Sequence, residues 1–109
     1  MPASPASSPD PSVERFDRLC RALQLVDQLA GQTGAPAHDP VAAAAYPSLG
    51  AISRRRFDAI ASETAAFAAA GIEVLMRQRA ARGECRVAAS RLAGEMRAAL
   101  GEMEALARR

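Results

Sequence analysis

Apolar side chains recur every three or four residues along most of this chain, the spacing that places them on one face of an α-helix. The first two such stretches lie at about residues 11–30, before Gly31, and at about residues 40–46. Each opens on an Asp-Pro pair, in which aspartate caps the helix and proline takes its first position. The pattern therefore predicts one medium and one short helix in the first half of the chain.

Two long helices are predicted to follow, at about residues 48–82 and 84–107. From Ser48 to Arg109 the chain has no proline, the strongest helix breaker, and it is rich in alanine, the best helix former. Ser48 is the expected N-cap of the first long helix, and Gly83 is expected to stop or kink the chain between the two. The pair can fold back as a hairpin at Gly83 or stay extended and pair with another copy.

These elements predict an all-α fold, with two long amphipathic helices in a hairpin or a coiled-coil-like bundle. Residues 1–10 are rich in proline, serine and alanine, so we expect a disordered leader there. The 109-residue chain is long enough for one domain at most, and we expect residues 11–109 to form a single all-helical domain.

The long helices carry an apolar face that we expect to meet a partner. In the last helix the apolar positions alternate spacings of four and three, which is typical of a coiled-coil seam. Alanine supplies 27 of the 109 residues, so large apolar side chains are scarce, and we expect a homo-oligomer that completes its core between copies. The residues expected at this interaction face are Phe57, Ile60, Phe67, Leu75, Leu92, Met96, Met103 and Leu106.

Composition argues against catalysis and against nucleic-acid binding. The net charge is only +2, and all 14 basic residues are arginine, which removes lysine chemistry. The single histidine, His38, and the distant Cys20 and Cys85 do not make a metal-ligand set, and we expect both thiols to be free. We therefore expect no catalytic residue, no cofactor and no metal.

The sequence predicts a cytoplasmic protein without a transmembrane span. No stretch approaches the ~18 consecutive apolar residues that a membrane helix requires. The N-terminus has neither the basic region nor the apolar core of a secretory signal.

Arg54, Arg55 and Arg56 form the one dense run of charge. Three cations in the first turn of a helix oppose its dipole, so the run indicates either an anionic partner or a helix that begins earlier. Ser48 as the N-cap gives the earlier start, which favours a solvated polar face; a patch for an anionic partner is the alternative.

Three glycines interrupt the long helices, each at a cost of about 1 kcal/mol relative to alanine. Gly71 lies within the apolar stripe, and Gly94 and Gly101 lie seven residues apart beside the seam. Close helix packing is predicted at all three, with a GC-rich codon bias as the alternative.

Three short motifs follow one another just before and along the first long helix. Residues 46–49 read aromatic-Pro-x-Leu, residues 56–59 read basic-apolar-acidic-Ala, and residues 71–75 read Gly-apolar-polar-x-Leu. Residues 54–80 resemble the core helix of phasins, the small helical proteins that coat polyhydroxyalkanoate granules in bacteria, and residues 46–49 resemble the short lead that often precedes it. The likeness covers residues 46–80, a third of the chain, and the asparagines characteristic of phasins have no counterpart here.

The resemblance implies a non-enzymatic, granule-associated bacterial protein whose amphipathic helices adsorb on an apolar polymer. The alternative is a helical protein-interaction module, such as a secretion or assembly chaperone or adaptor, whose exposed seam receives a partner helix. An enzyme is the least supported class, because the sequence offers no convergent polar cluster.

Overall fold

The computed structural model describes residues 11–32 and 45–108 of the chain. Within these ranges it contains three α-helices and no strand: α1 (Pro11–Leu29), α2 (Ala51–Arg82) and α3 (Arg86–Ala107). The predicted all-α fold is confirmed, and the three helices pack against one another as a bundle. The predicted leader at residues 1–10, His38 and most of the predicted short helix at residues 40–46 lie outside the described residues.

The first long helix begins at Ala51 and not at Ser48. Ser48 belongs to a 3₁₀ turn at residues 45–48, and the next residue, Leu49, is buried in the core. Gly50 occupies the N-cap position in an extended conformation, with no side-chain hydrogen bond to the helix. The prediction of Ser48 as the N-cap is wrong, because the chain first turns inward to bury Leu49 before the helix starts.

Helices α1 and α2 run parallel, and α3 runs antiparallel to both. Ser12 of α1 donates a hydrogen bond to Asp58 of α2, and one turn later Arg15 donates to Ser62, so both helices advance in the same direction. The chain reverses after Gly83, and α3 returns along the other two helices. Two parallel helices with one antiparallel return were not foreseen from the sequence, because helical periodicity carries no information on direction.

Gly31 and Gly83 end α1 and α2 in the left-handed conformation that favours glycine, with φ of 80° and 81°. The backbone N–H groups of residues 31 and 32 donate to Gln28 and Asp27, which is the Schellman arrangement. The N–H of Gly83 donates to the carbonyl of Arg79. Because α2 and α3 pack along each other beyond this turn, they form the closed hairpin, one of the two arrangements that the sequence left open.

The core lies between the three helices and depends on a small number of large side chains. Every helix contributes to it, but α3 contributes most. The largest fully buried side chains include Phe16 of α1, Phe57 and Leu75 of α2, and Met96, Leu100 and Met103 of α3.

Asp58 joins three separate segments at the end of the bundle where α1 and α2 begin. Its carboxylate accepts a hydrogen bond from Ser12 Oγ at 2.6 Å and bonds from the Tyr46 hydroxyl at 2.9 and 3.0 Å. The ring of Tyr46 is buried and packs on Phe57, with 5.1 Å between the ring centroids. Asp58 therefore fixes both the start of α1 and the 3₁₀ turn to α2.

We expect Asp58→Ala to lower the free energy of unfolding by about 1–3 kcal/mol, because it removes the shared acceptor of the Ser12 and Tyr46 hydroxyls. Urea denaturation followed by circular dichroism measures the change. Ser62→Ala, which removes only the exposed bond from Arg15, is the matched control and should change the stability by less than ~0.5 kcal/mol. Equal effects of the two variants would contradict the role given to Asp58.

Gly71 marks a close approach of α2 to α3. A Cβ atom at this position would lie 2.7 Å from Cδ2 of Leu92, so the close packing predicted at Gly71 is confirmed. A Cβ at Gly94 or Gly101 would meet no atom within 4 Å. The packing predicted at these two glycines is wrong for this chain, because they lie beside the buried seam, on a side of α3 that no other described helix covers.

We expect Gly94→Ala to raise the free energy of unfolding by about 1 kcal/mol, since it adds helix propensity in open space. Gly71→Ala should bring no comparable gain, because the new methyl group forces Leu92 to move. Chemical denaturation of both variants tests this difference. An equal gain at the two positions would show that Leu92 can yield without cost.

Candidate functional site

The eight residues predicted to form an interaction face lie inside the bundle of a single chain. Seven are buried, and the eighth, Phe67, is half-buried against the core. The buried ones are Phe57, Ile60, Leu75, Leu92, Met96, Met103 and Leu106. The seam of α3 is covered by α1 as well as by α2, which its periodicity alone does not predict. A partner therefore has to be met by other surfaces of the described chain.

Helix α2 leaves much of its apolar surface outside the core. By length and composition it could cross a membrane, because an 18-residue stretch of it is apolar on average and holds at most two charged residues. No such helix was expected from the sequence, because α2 has no run of ~18 consecutive apolar residues. Only 28% of this stretch is buried in the bundle. A core helix that passes the same test is mostly buried, so the uncovered side of α2 needs a different explanation.

The first candidate surface is a groove between α1 and α2, on the side of the bundle away from α3. This α1–α2 groove has a volume of about 280 Å³. Its lining is apolar apart from two arginines and consists of Arg15, Arg18, Leu19 and Ala22 of α1 with Ala65, Ala68, Ala69 and Ile72 of α2. Leu25 and Met76 follow at helical spacing along the two helices and are 39% and 41% exposed. The groove is thus a shallow apolar strip floored by alanine.

Within residues 11–32 and 45–108, the two arginines of the α1–α2 groove make only exposed polar contacts. Arg15 donates to Ser62 Oγ at 3.0 Å, and Arg18 lies 3.8 Å from the carboxylate of Glu14. Both contacts are at the surface, where such interactions contribute little to stability. The guanidinium groups can therefore reorient while their aliphatic stems stay on the apolar strip.

The second candidate surface lies on the other flank of α2. This α2–α3 groove has a volume of about 240 Å³. It is lined by Gly71, Val74 and Leu75 of α2 and by Ala88, Arg91, Leu92 and Glu95 of α3. Val74 is 47% exposed. Val87 lines an adjoining depression together with Ala88 and Arg91, and it is 75% exposed. Its two charged residues, Arg91 and Glu95, are exposed and make no hydrogen bond or ion pair with another described side chain.

The arginine run is exposed and begins at the fourth residue of α2. Arg56 pairs with Glu102 of α3 at 2.9 Å, and this hydrogen bond raises the pKa of Arg56. The pair connects the two helices of the hairpin. Arg54 and Arg55 remain as the exposed cations of the candidate patch for an anionic partner.

Asp27 and Arg97 tie the end of α1 to α3 and were not singled out in the sequence. Arg97 Nη2 lies 2.7 Å from Asp27 Oδ2, and Asp27 is buried. Its second carboxylate oxygen is also buried and accepts no hydrogen bond from the described residues. The two residues are 70 positions apart, so no local pattern could have paired them.

Cys20 and Cys85 are both free and buried. Burial, with smaller contributions from the charges of Asp17 and Glu104, raises the pKa of Cys20 to about 11. A thiol with this pKa stays protonated near neutral pH and is a poor nucleophile. Among the residues that the structure describes, no cluster of three or more histidine, cysteine or acidic side chains could hold a metal ion.

No protein-family model, curated protein or solved structure matches this chain. The likeness to phasins accordingly depends on residues 46–80 alone. Of the three motifs there, the first has a clear structural role in the bundle, since both Tyr46 and Leu49 are buried.

We expect the raised pKa of Cys20 to make stability fall at high pH. The folded state holds the thiol proton more tightly than the unfolded state, where the pKa is near 9.0. The stabilisation is therefore complete below pH 9 and is lost as the pH rises through about 11. Urea denaturation from pH 8 to pH 11 should show a shallower decline for Cys20→Ala than for the wild type. Parallel declines would contradict the expectation, whatever the difference in absolute stability.

Proposed function

We propose that this protein is a non-enzymatic helical coat protein that adsorbs on an apolar surface, as phasins do on polyhydroxyalkanoate granules. The observation that carries the proposal is the low burial of α2, of which 28% of an 18-residue apolar stretch lies in the core. Removing apolar surface from water gains roughly 25 cal/mol per Å², so an uncovered apolar strip favours adsorption. The proposal places the protein at granules in the cytoplasm of a bacterium.

We assign adsorption to the α1–α2 groove. Its alanine floor is shallow, so a smooth polymer surface can touch α1 and α2 together, while Leu25 and Met76 provide larger contacts. Arg15 and Arg18 can lie with their stems on the polymer and their charged groups in water. Charged residues on α3, such as the exposed Glu102, would face the solution and keep coated particles apart.

The same groove supports a second candidate, a chaperone or adaptor that receives an amphipathic partner helix. The groove lies between two parallel helices, at the position that a fourth helix occupies in a four-helix bundle. The two candidates differ in stoichiometry. A partner helix would saturate at one per groove, whereas an apolar surface would bind protein in proportion to its area.

Adsorption to purified polyhydroxybutyrate particles tests the proposal, with the unbound protein measured after the particles are sedimented. We expect the wild type to adsorb, and Ala69→Glu to adsorb about tenfold less, because a carboxylate must lose its hydration on the polymer. Ala69 is exposed, so the variant should keep its helical circular dichroism spectrum.

The matched control is Ala105→Glu, which adds the same charge at an exposed position of α3 that does not line the groove. It should adsorb as the wild type does. Wild-type protein that stays in solution would refute the adsorption proposal. An equal loss in the two variants would refute the assignment to the α1–α2 groove.

A further inference from the structure

We propose that a second copy of this chain docks on the α2–α3 groove, forming a symmetric dimer in which the two α3 helices lie antiparallel. This inference goes beyond the proposed function, because it uses the opposite flank of α2. It also replaces the buried seam as the surface for self-association.

The lining of the groove has the character of an interface centre. Gly71, Val74 and Ala88 provide the accessible apolar surface, with the buried Leu75 and Leu92 beneath them, and Val74 is 47% exposed. The absence of a side chain at Gly71 and the small side chain of Ala88 keep this surface shallow. A helix can therefore approach closely, and the exposed valine gains contacts that the single chain does not provide.

Charge identifies the occupant as another copy. Among the described residues, Arg91 and Glu95 are the only charged ones that line the groove. They lie one turn apart on α3, and neither pairs with another described side chain. In an interface with twofold symmetry, a contact from residue i of one copy to residue j of the other is repeated from residue j of the first copy to residue i of the second. A twofold axis that is perpendicular to α3 and passes midway between these residues places each Arg91 opposite Glu95 of the other copy.

The resulting arrangement is self-complementary. Two opposite-charge pairs lie on either side of the twofold axis, beside the apolar surface of the groove, and no like charges from these two positions meet. A parallel arrangement in register would instead place Arg91 against Arg91 and Glu95 against Glu95, which costs affinity. The groove thus favours one relative orientation of the two copies.

Sedimentation equilibrium of the full chain tests the dimer, with circular dichroism as the check on folding. We expect the wild type to dimerise, and Arg91→Glu to dimerise about tenfold more weakly or worse, because both cross-pairs become repulsive. Glu95→Arg should show the same loss. The double variant R91E/E95R exchanges the charges and should recover dimerisation, which a general loss of stability would not permit.

Arg21→Glu is the matched control, since it makes the same charge change at an exposed arginine of α1 outside both grooves. It should dimerise as the wild type does. An equimolar mixture of Arg91→Glu and Glu95→Arg should form heterodimers, because the opposite charges then meet across the interface.

Three outcomes would overturn the proposal. A wild type that stays monomeric at high micromolar concentration would leave the groove to another kind of partner. Unchanged dimerisation of the Arg91→Glu variant would show that copies meet elsewhere. A double variant and a mixture that both stay monomeric would show that charge pairing does not direct the contact. None of these results depends on whether the protein adsorbs on polymer.

Discussion

The fold depends on the burial of one side of α3 between α1 and α2. Helices α1 and α2 each contact α3 more extensively than they contact each other. Where α1 and α2 meet, the rings of Phe16 and Phe57 lie 6.1 Å apart. Met96, Leu100 and Met103 of α3 are fully buried and complete the core between the two helices. The chain has few large apolar residues, but nearly all of those in α3 are buried in the same core. This concentration of large side chains allows the core to close.

This distribution has a consequence for the outer surface. Because the large side chains are committed to the core, the outer flanks of α2 carry alanine, glycine and a few exposed residues such as Val74 and Met76. Such flanks are apolar but shallow. They are suited to contacts with broad surfaces or with other helices, and less suited to enclosing a small molecule.

Much of the secondary structure could be predicted from the sequence, because its causes are local. The absence of proline and the wealth of alanine indicate α2 and α3, and Gly31 and Gly83 end helices through their own backbone conformation. The start of α2 was missed because Leu49 is buried in the core, which places the turn before the helix and is not evident from the local sequence. Ser48 has the hydroxyl group of an N-cap residue, but Gly50 occupies the N-cap position of α2.

The candidate surfaces could not be predicted in the same way. The apolar stripe of α3 has the spacing of a seam whether it meets another copy or the same chain, and only the packing of α1 against it decides between the two. Asp58 and Tyr46 are 12 residues apart, and Ser12 lies 46 residues from Asp58, so their convergence follows from the tertiary fold. Arg91 and Glu95 could not be singled out from the sequence, because their role depends on the groove that they line in the folded chain.

The two grooves lie on opposite flanks of α2, so dimerisation and adsorption do not compete for the same residues. An alanine-lined strip contributes little binding energy per molecule, and a single chain would leave an apolar surface readily. A dimer carries two such strips, and once one is adsorbed the other is held close to the same surface at high effective concentration. The dimer contact on one flank of α2 would thus make a weak adsorbing face on the other flank sufficient for a stable coat.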